Sequence, residues 1–199
     1  MQQLNEIHAA KWREFKGLLI LEFKDYCKNI SGFAVSIQYS VCLLCLCERY
    51  NLKSVIDLGS GFTSYALRKY CKVYNKEIEV HTVDSDPKWL LTTYGYCRKK
   101  SLSDANFHLW DSFNDTKLIR ADLVSIDIDT SAKRNIYLGE AFKMAKKFAI
   151  LDDMHKTRIK KGVHTALESM GRKYEYISIK HLTQDGLNRY ATLVSLEEQ

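Results

Sequence analysis

A glycine turn and a set of strand-end carboxylates hold the chemically expressive residues of this 199-residue chain. The stretch Asp57-Leu58-Gly59-Ser60-Gly61-Phe62-Thr63-Ser64 follows a short β-rich run. Glycines at 59 and 61 allow a tight turn and close backbone approach to a ligand. The helix that Ser64 enters aims its first N–H groups at the same place. Asp84 ends the next apolar run, where a carboxylate can accept both hydroxyls of a ribose. Trp110-Asp111-Ser112, Asp127-Ile128-Asp129 and Asp152-Asp153-Met154-His155 follow three further runs. Asp127, Asp152 and Asp153, at the ends of adjacent strands, would repel one another unless a cation joins them or a proton stays bound. All-oxygen ligation suits Mg²⁺, Mn²⁺ or Ca²⁺ over zinc. Asp129 is an alternative to Asp127 in such a set, and the Asp152-Asp153 pair also suits a cap for the helix starting near Lys156.

Such residues act together only if the chain delivers them to one edge. From Leu52 the pattern alternates. Strands are predicted over 54–58, 79–83, 106–110, 122–127 and 148–152, and helices over 64–75, 86–100, near 113–120, 132–147 and 156–173. Two final strands, 174–180 and 189–196, flank a loop holding Asp185-Gly186. Five β-α alternations imply a parallel sheet with helices on both faces, and the last pair adds an antiparallel strand. Ligands of such sheets bind beyond the carboxyl ends of the strands, near the topological switch point. Upstream, 3–28 has apolar residues at helical spacing (Leu4, Ile7, Trp12, Phe15, Leu19, Phe23), and 34–50 is apolar nearly all round. Residues 1–51 are expected to cap the site and 52–199 to form the core of a single α/β domain.

VIDLGSGFTS resembles motif I of the class I S-adenosylmethionine-dependent methyltransferases, [DE]-x-G-x-G, and the likeness extends over about residues 52–196. It implies a Rossmann-like, doubly wound, seven-stranded sheet with S-adenosylmethionine as cofactor. Asp57 and the Gly59–Gly61 turn, with Ser60 and Thr63, would approach the methionyl part, and Asp84, followed by Ser85, the ribose. Asp111 would accept from the adenine amino group, with Trp110 and Ser112 beside the ring. Thr63 departs from the pattern, since many members carry a third glycine there. The spacing of Asp127 to Asp152 and Asp153 resembles cation-dependent O-methyltransferases of the catechol, caffeoyl-CoA and macrocin types. That implies a divalent ion, Mg²⁺ above all, on Asp127, Asp152 and Asp153, with Asp127 also bordering the cofactor, and methyl transfer to an oxygen of a small molecule. Those families carry a Lys or His three residues after the strand-four Asp; here Thr130 stands, so the general base is expected to be His155 or Lys133.

Competing readings are weighed by charge and composition. A nucleotide-linked dehydrogenase would need a third glycine or alanine where Ser64 stands, and Asp57 would repel a pyrophosphate while suiting an ammonium and a sulfonium. A non-catalytic cofactor-binding module is favoured by Thr63 and Thr130. The D/N-P-P-Y signature of amino-methylating DNA enzymes is absent, which leaves RNA methylation open. With 46% apolar and 27% charged residues the chain is a packed globule rather than a disordered one. No apolar run approaches the ~18–20 residues of a membrane span, no secretory h-region opens the chain, and a cytoplasmic location is expected. A net charge of +6 permits nucleic acid as a partner without requiring it; a homodimer is equally open. The six cysteines offer one cluster, Cys42, Cys45 and Cys47, without the second pair a structural zinc needs.

Overall fold

The computed structural model describes residues 9–30, 35–115 and 119–197. Residues 3–8 of the first predicted helix, with Leu4 and Ile7, position 34 of the second and 116–118 of the short helix near 113–120 lie outside them.

Two helices precede the sheet, α1 (Ala9–Asn29) and α2 (Ile37–Arg49). The α2 sequence is apolar on every side because it is enclosed on every side. It is buried from Val41 through Cys47, and its start is fixed by the Ser36 hydroxyl, which accepts from the Tyr39 N–H at 3.1 Å. Then come β1 (Ser54–Leu58), α3 (Phe62–Tyr74), β2 (Glu79–Asp84), α4 (Pro87–Lys99), β3 (Phe107–Leu109), α5 (Trp110–Asp115) and β4 (Ala121–Ile126). A 3₁₀ turn at Arg134–Ile136 leads into α6 (Leu138–Met144), β5 (Ala145–Leu151), α7 (Thr157–Met170), β6 (Tyr174–Ser178), α8 (Lys180–Thr183) and β7 (Thr192–Leu196).

The seven strands run in the order β3-β2-β1-β4-β5-β7-β6, parallel except for β7, which lies antiparallel between β5 and β6. The doubly wound sheet expected from the alternation is therefore present, and its order reverses between β1 and β4. Period-two alternation divides the strand side chains between two cores. Val55, Leu123, Ile150 and Leu193 face α1, α2 and α3, while Ile56, Leu58, Val124 and Ile126 face α6 and α7. On the first side Tyr39, fully buried, reaches the sheet through its hydroxyl, 3.0 Å from Ser125 Oγ and 3.2 Å from the Ile150 carbonyl oxygen.

Several boundaries differ from the sequence reading, and α8 (Lys180–Thr183) stands where the end of a strand and a loop are expected. The predicted helix over 132–147 ends at Met144, and Ala145-Lys146-Lys147 joins β5. The β4–β5 register passes from Ala121↔Ala145 to Leu123↔Phe148, so β5 carries an extra residue there. Arg172 holds this irregular start, donating to the carbonyls of Ala145 and Lys146 at 2.8 Å each. The last strand begins at Thr192 rather than 189, because the Asp185 carboxylate accepts from the Leu187 and Arg189 N–H groups and folds the preceding residues into a turn. The short helix after β3 starts at Trp110, directly on the strand end.

Candidate active site

The turn after β1 is forced by backbone crowding. Gly59 has φ of +106°, and a Cβ there would stand 2.6 Å from the Asp127 carbonyl carbon. Only glycine lets the ends of β1 and β4 pass this closely. Its N–H donates to the Val83 carbonyl at 2.8 Å, and the Asp127 N–H donates to the Leu58 carbonyl at 2.7 Å, so β1, β2 and β4 are tied at one point.

Asp57 lies beneath this turn, fully buried, and does not line the cavity. Its Oδ2 accepts from Thr63 Oγ1 and Ser64 Oγ, each at 2.7 Å. The departure from a third glycine at Thr63 thus has a structural role, because the hydroxyl anchors the first turn of α3 to β1. Burial pushes the Asp57 carboxyl above its ordinary range, and the hydroxyls of Ser64 and Thr63 oppose that shift. The Ser125 hydroxyl, beside Asp57 on β4, opposes it as well. Tyr26 Oη is buried beside the Thr93 hydroxyl and stands 3.9 Å from where a Gly61 Cβ would be.

Asp84 ends β2 and faces the turn. Its Oδ2 accepts from the Ser60 N–H and Ser60 Oγ, both at 2.6 Å, and its Oδ1 accepts from the Asp86 N–H at 2.9 Å. A carboxylate offers about four acceptor positions, so Oδ1 retains one and rotation of Ser60 would release another. Asp86 in turn caps α4, accepting from the Lys88 N–H at 2.8 Å, with Pro87 at the first helical position.

A cavity of about 390 Å³ opens at this edge, within the size range of small-molecule sites. Of the expected residues, Gly59, Ser60, Gly61, Thr63, Asp84, Ser85, Asp127, Asp152 and Asp153 line it. Trp110, Asp111 and Ser112 do not. Asp111 and Ser112 are exposed on the first turn of α5, and Trp110 packs edge-on against Tyr137 with ring centroids 4.9 Å apart. Neither expected base reaches the wall. Lys133 is exposed just before the 3₁₀ turn, and His155 lies half-buried with Nδ1 3.8 Å from Asp153 Oδ1. Wall residues that sequence reasoning missed include Tyr26, Val35, Trp89, Arg134, Lys156 and Arg189. Tyr26 and Val35 belong to the N-terminal segment expected to cap the site, but apolar periodicity does not tell which of its residues turn inward.

The cation among the strand-end carboxylates is Arg134. Its guanidinium pairs with Asp127 and, at 3.2 Å, with Asp153 Oδ2, while Lys156 Nζ reaches the same Asp153 oxygen at 2.8 Å. Burial raises the Asp127 carboxyl, Arg134 draws it back down, and Asp152 and Asp153 push it up again. Burial likewise raises the Asp152 carboxyl. The expected divalent ion does not fit this arrangement. A guanidinium stands between two of its three expected ligands, and among the described residues no group of three acidic, histidine or cysteine side chains is disposed to hold a metal.

No family model matches the sequence, and no curated protein matches it. Solved structures do match. An O-methyltransferase from Bacillus cereus in complex with S-adenosylhomocysteine superposes with a TM-score of 0.63 over 99% of this chain and 96% of that one, at 14% identity. The O-methyltransferase TomG from Streptomyces achromogenes, involved in tomaymycin synthesis and in complex with S-adenosylmethionine, gives 0.63 over 95% and 90%, at 13% identity. The S-adenosylhomocysteine-bound methyltransferase PaMTH1 from Podospora anserina gives 0.62 over 91% and 88%, at 12% identity. The chain has the fold of these methyltransferases.

Gly59→Ala is expected to destabilise the protein by more than the ~1–3 kcal/mol of local backbone strain alone, because the methyl group also meets the Asp127 backbone. Urea unfolding checks this. An unchanged midpoint would mean that β1 and β4 do not approach as described.

Proposed function

We propose that the protein is an S-adenosylmethionine-dependent O-methyltransferase acting on a small molecule. One observation carries the proposal. At the β1–β4 switch point a glycine turn, the Ser60–Asp84 pair and the buried Tyr26 side chain border one cavity, and Asp84 keeps an acceptor position at Oδ1. A carboxylate with a free acceptor position beside a backbone turn suits the hydroxyl groups of a ribose. The same fold holds S-adenosylmethionine or S-adenosylhomocysteine in the matched structures, two of which are described as O-methyltransferases.

S-adenosylmethionine supplies an electrophilic methyl group when bound. Every other role falls to this chain. Asp84 would hold the ribose, with Ser60 turning aside, and Asp57 would keep the turn in place from below through Thr63 and Ser64. Tyr26 can donate to a carboxylate. Trp89 walls the pocket from α4. Tyr26 from α1 and Val35 from the segment before α2 line the cavity and would limit the access of water. Holding donor and acceptor in line in such a site can be worth ~7–11 kcal/mol.

The acceptor lies toward Asp152, Asp153, Lys156 and Arg189. Asp152 is placed to take the hydroxyl proton: its carboxylate lines the cavity, and burial raises its proton affinity. The step is not routed through a divalent ion, because Arg134 stands among the carboxylates that would bind one.

Asp84→Ala is expected to keep the fold and abolish S-adenosylhomocysteine binding in calorimetry; wild-type affinity in that variant would remove the donor from this pocket. Asp152 works deprotonated and its pKa is raised, so the methyl-transfer rate should rise with pH through a range above that of an ordinary carboxylate. Asp152→Asn should lower kcat by about 10²–10⁴-fold and erase that limb. An unaltered pH profile would assign the proton to another group.

A further inference from the structure

We infer that Arg134 is a resident cation that takes the place of a divalent ion at the ends of β4 and β5, so that this enzyme binds its acceptor hydroxyl singly and without metal chelation. The inference rests on the methyltransferase assignment and concerns the acceptor half of the same cavity.

The guanidinium has five N–H donors in a fixed plane, and the protein uses them all. Nε donates to the Ile128 carbonyl at 3.1 Å. Nη1 donates to Asp153 Oδ2 at 3.2 Å and the Asp152 carbonyl at 3.5 Å. Nη2 donates to the carbonyls of Asp127 and Asp129, each at 3.3 Å, and pairs with the Asp127 carboxylate. The residue is 3% exposed. These contacts bind the loop after β4 to the loop after β5, and they hold Asp129 and Asp153 in left-handed backbone conformations with φ of +57° and +62°.

A bound Mg²⁺ keeps exchangeable water positions, through which it can grip two neighbouring oxygens of a substrate. A guanidinium saturated by protein oxygens has no such position. Its charge sits where an ion would, but it cannot exchange a ligand. Asp127 and Asp153, each paired with Arg134, are correspondingly withdrawn from coordination. A vicinal diol gains nothing here over a single hydroxyl.

The test is a Mn²⁺ titration of the full-length protein followed by electron paramagnetic resonance, with S-adenosylhomocysteine present and with catechol as a chelating probe. Calorimetry with S-adenosylhomocysteine is run first, and no binding there would overturn the methyltransferase assignment and this inference with it. With the cofactor product bound, the wild type should retain no Mn²⁺ in a saturable manner, and catechol should not change that. Arg134→Ala should acquire saturable Mn²⁺ binding, with Mn²⁺ raising its melting temperature by a few degrees, and Asp153→Asn in that background should abolish the gain. Saturable Mn²⁺ binding by the wild type, enhanced by catechol, would overturn the inference while leaving the methyltransferase assignment standing. Should Arg134→Ala not fold, the wild-type titration decides alone.

Discussion

The ends of β1, β2, β4 and β5 place Asp57, Asp84, Asp127, Asp152 and Asp153 around one edge of the sheet, and such a concentration of carboxylates persists only if positive charge is built among them. Arg134 supplies that charge. It touches the backbone or side chain of Asp127, Ile128, Asp129, Asp152 and Asp153. It is therefore electrostatic counter-charge and mechanical tie at once. Removing one partner of a buried ion pair generally costs more than the pair itself contributes, because the remaining charge is left without solvent or partner. The loops that shape the Asp152–Asp153 side of the cavity consequently depend on this one side chain. Lys156 adds a second contact to Asp153 from the start of α7, and Arg189, held by Asp185, completes the basic side of the wall.

The glycine-turn side of the cavity depends on steric freedom rather than on charge. Gly59 leaves no room for a side chain between the backbones at the reversal of the strand order, and Ser60 and Gly61 then border the cavity. Asp57 secures that turn from below through two hydroxyls of α3, and Asp84 secures it from the side through Ser60. Sequence, local geometry and chemistry coincide here: residues short enough to bend sharply are also the ones that expose backbone donors to a ligand.

Much of this is legible in the sequence. Apolar runs punctuated by acidic strand ends specify the alternation, and the switch point follows from it. The residues that escaped notice share a physical reason. Arg134 sits in AKRNIYLGEAFKMAKK, where a basic residue in an amphipathic stretch reads as solvent-facing; that it folds back onto two other strand ends is set by a 3₁₀ turn with no signature of its own. The same stretch hides the start of β5, since Lys146 and Lys147 suit an exposed helix face as well as a strand margin held by Arg172. Thr63 reads as a flaw in a glycine motif and is instead a hydroxyl clamp on Asp57. Tyr26 and Trp89 belong to helices that were foreseen, but the cavity they face is made by chain far away in sequence.

A crystal structure grown with excess S-adenosylhomocysteine tests the central claim most directly. The account predicts density along the Gly59–Gly61 turn, with the Ser60 hydroxyl moved off Asp84 and ribose oxygens in its place. Density for that compound elsewhere, or an Asp84–Ser60 pair left intact beside an empty crevice, would contradict it.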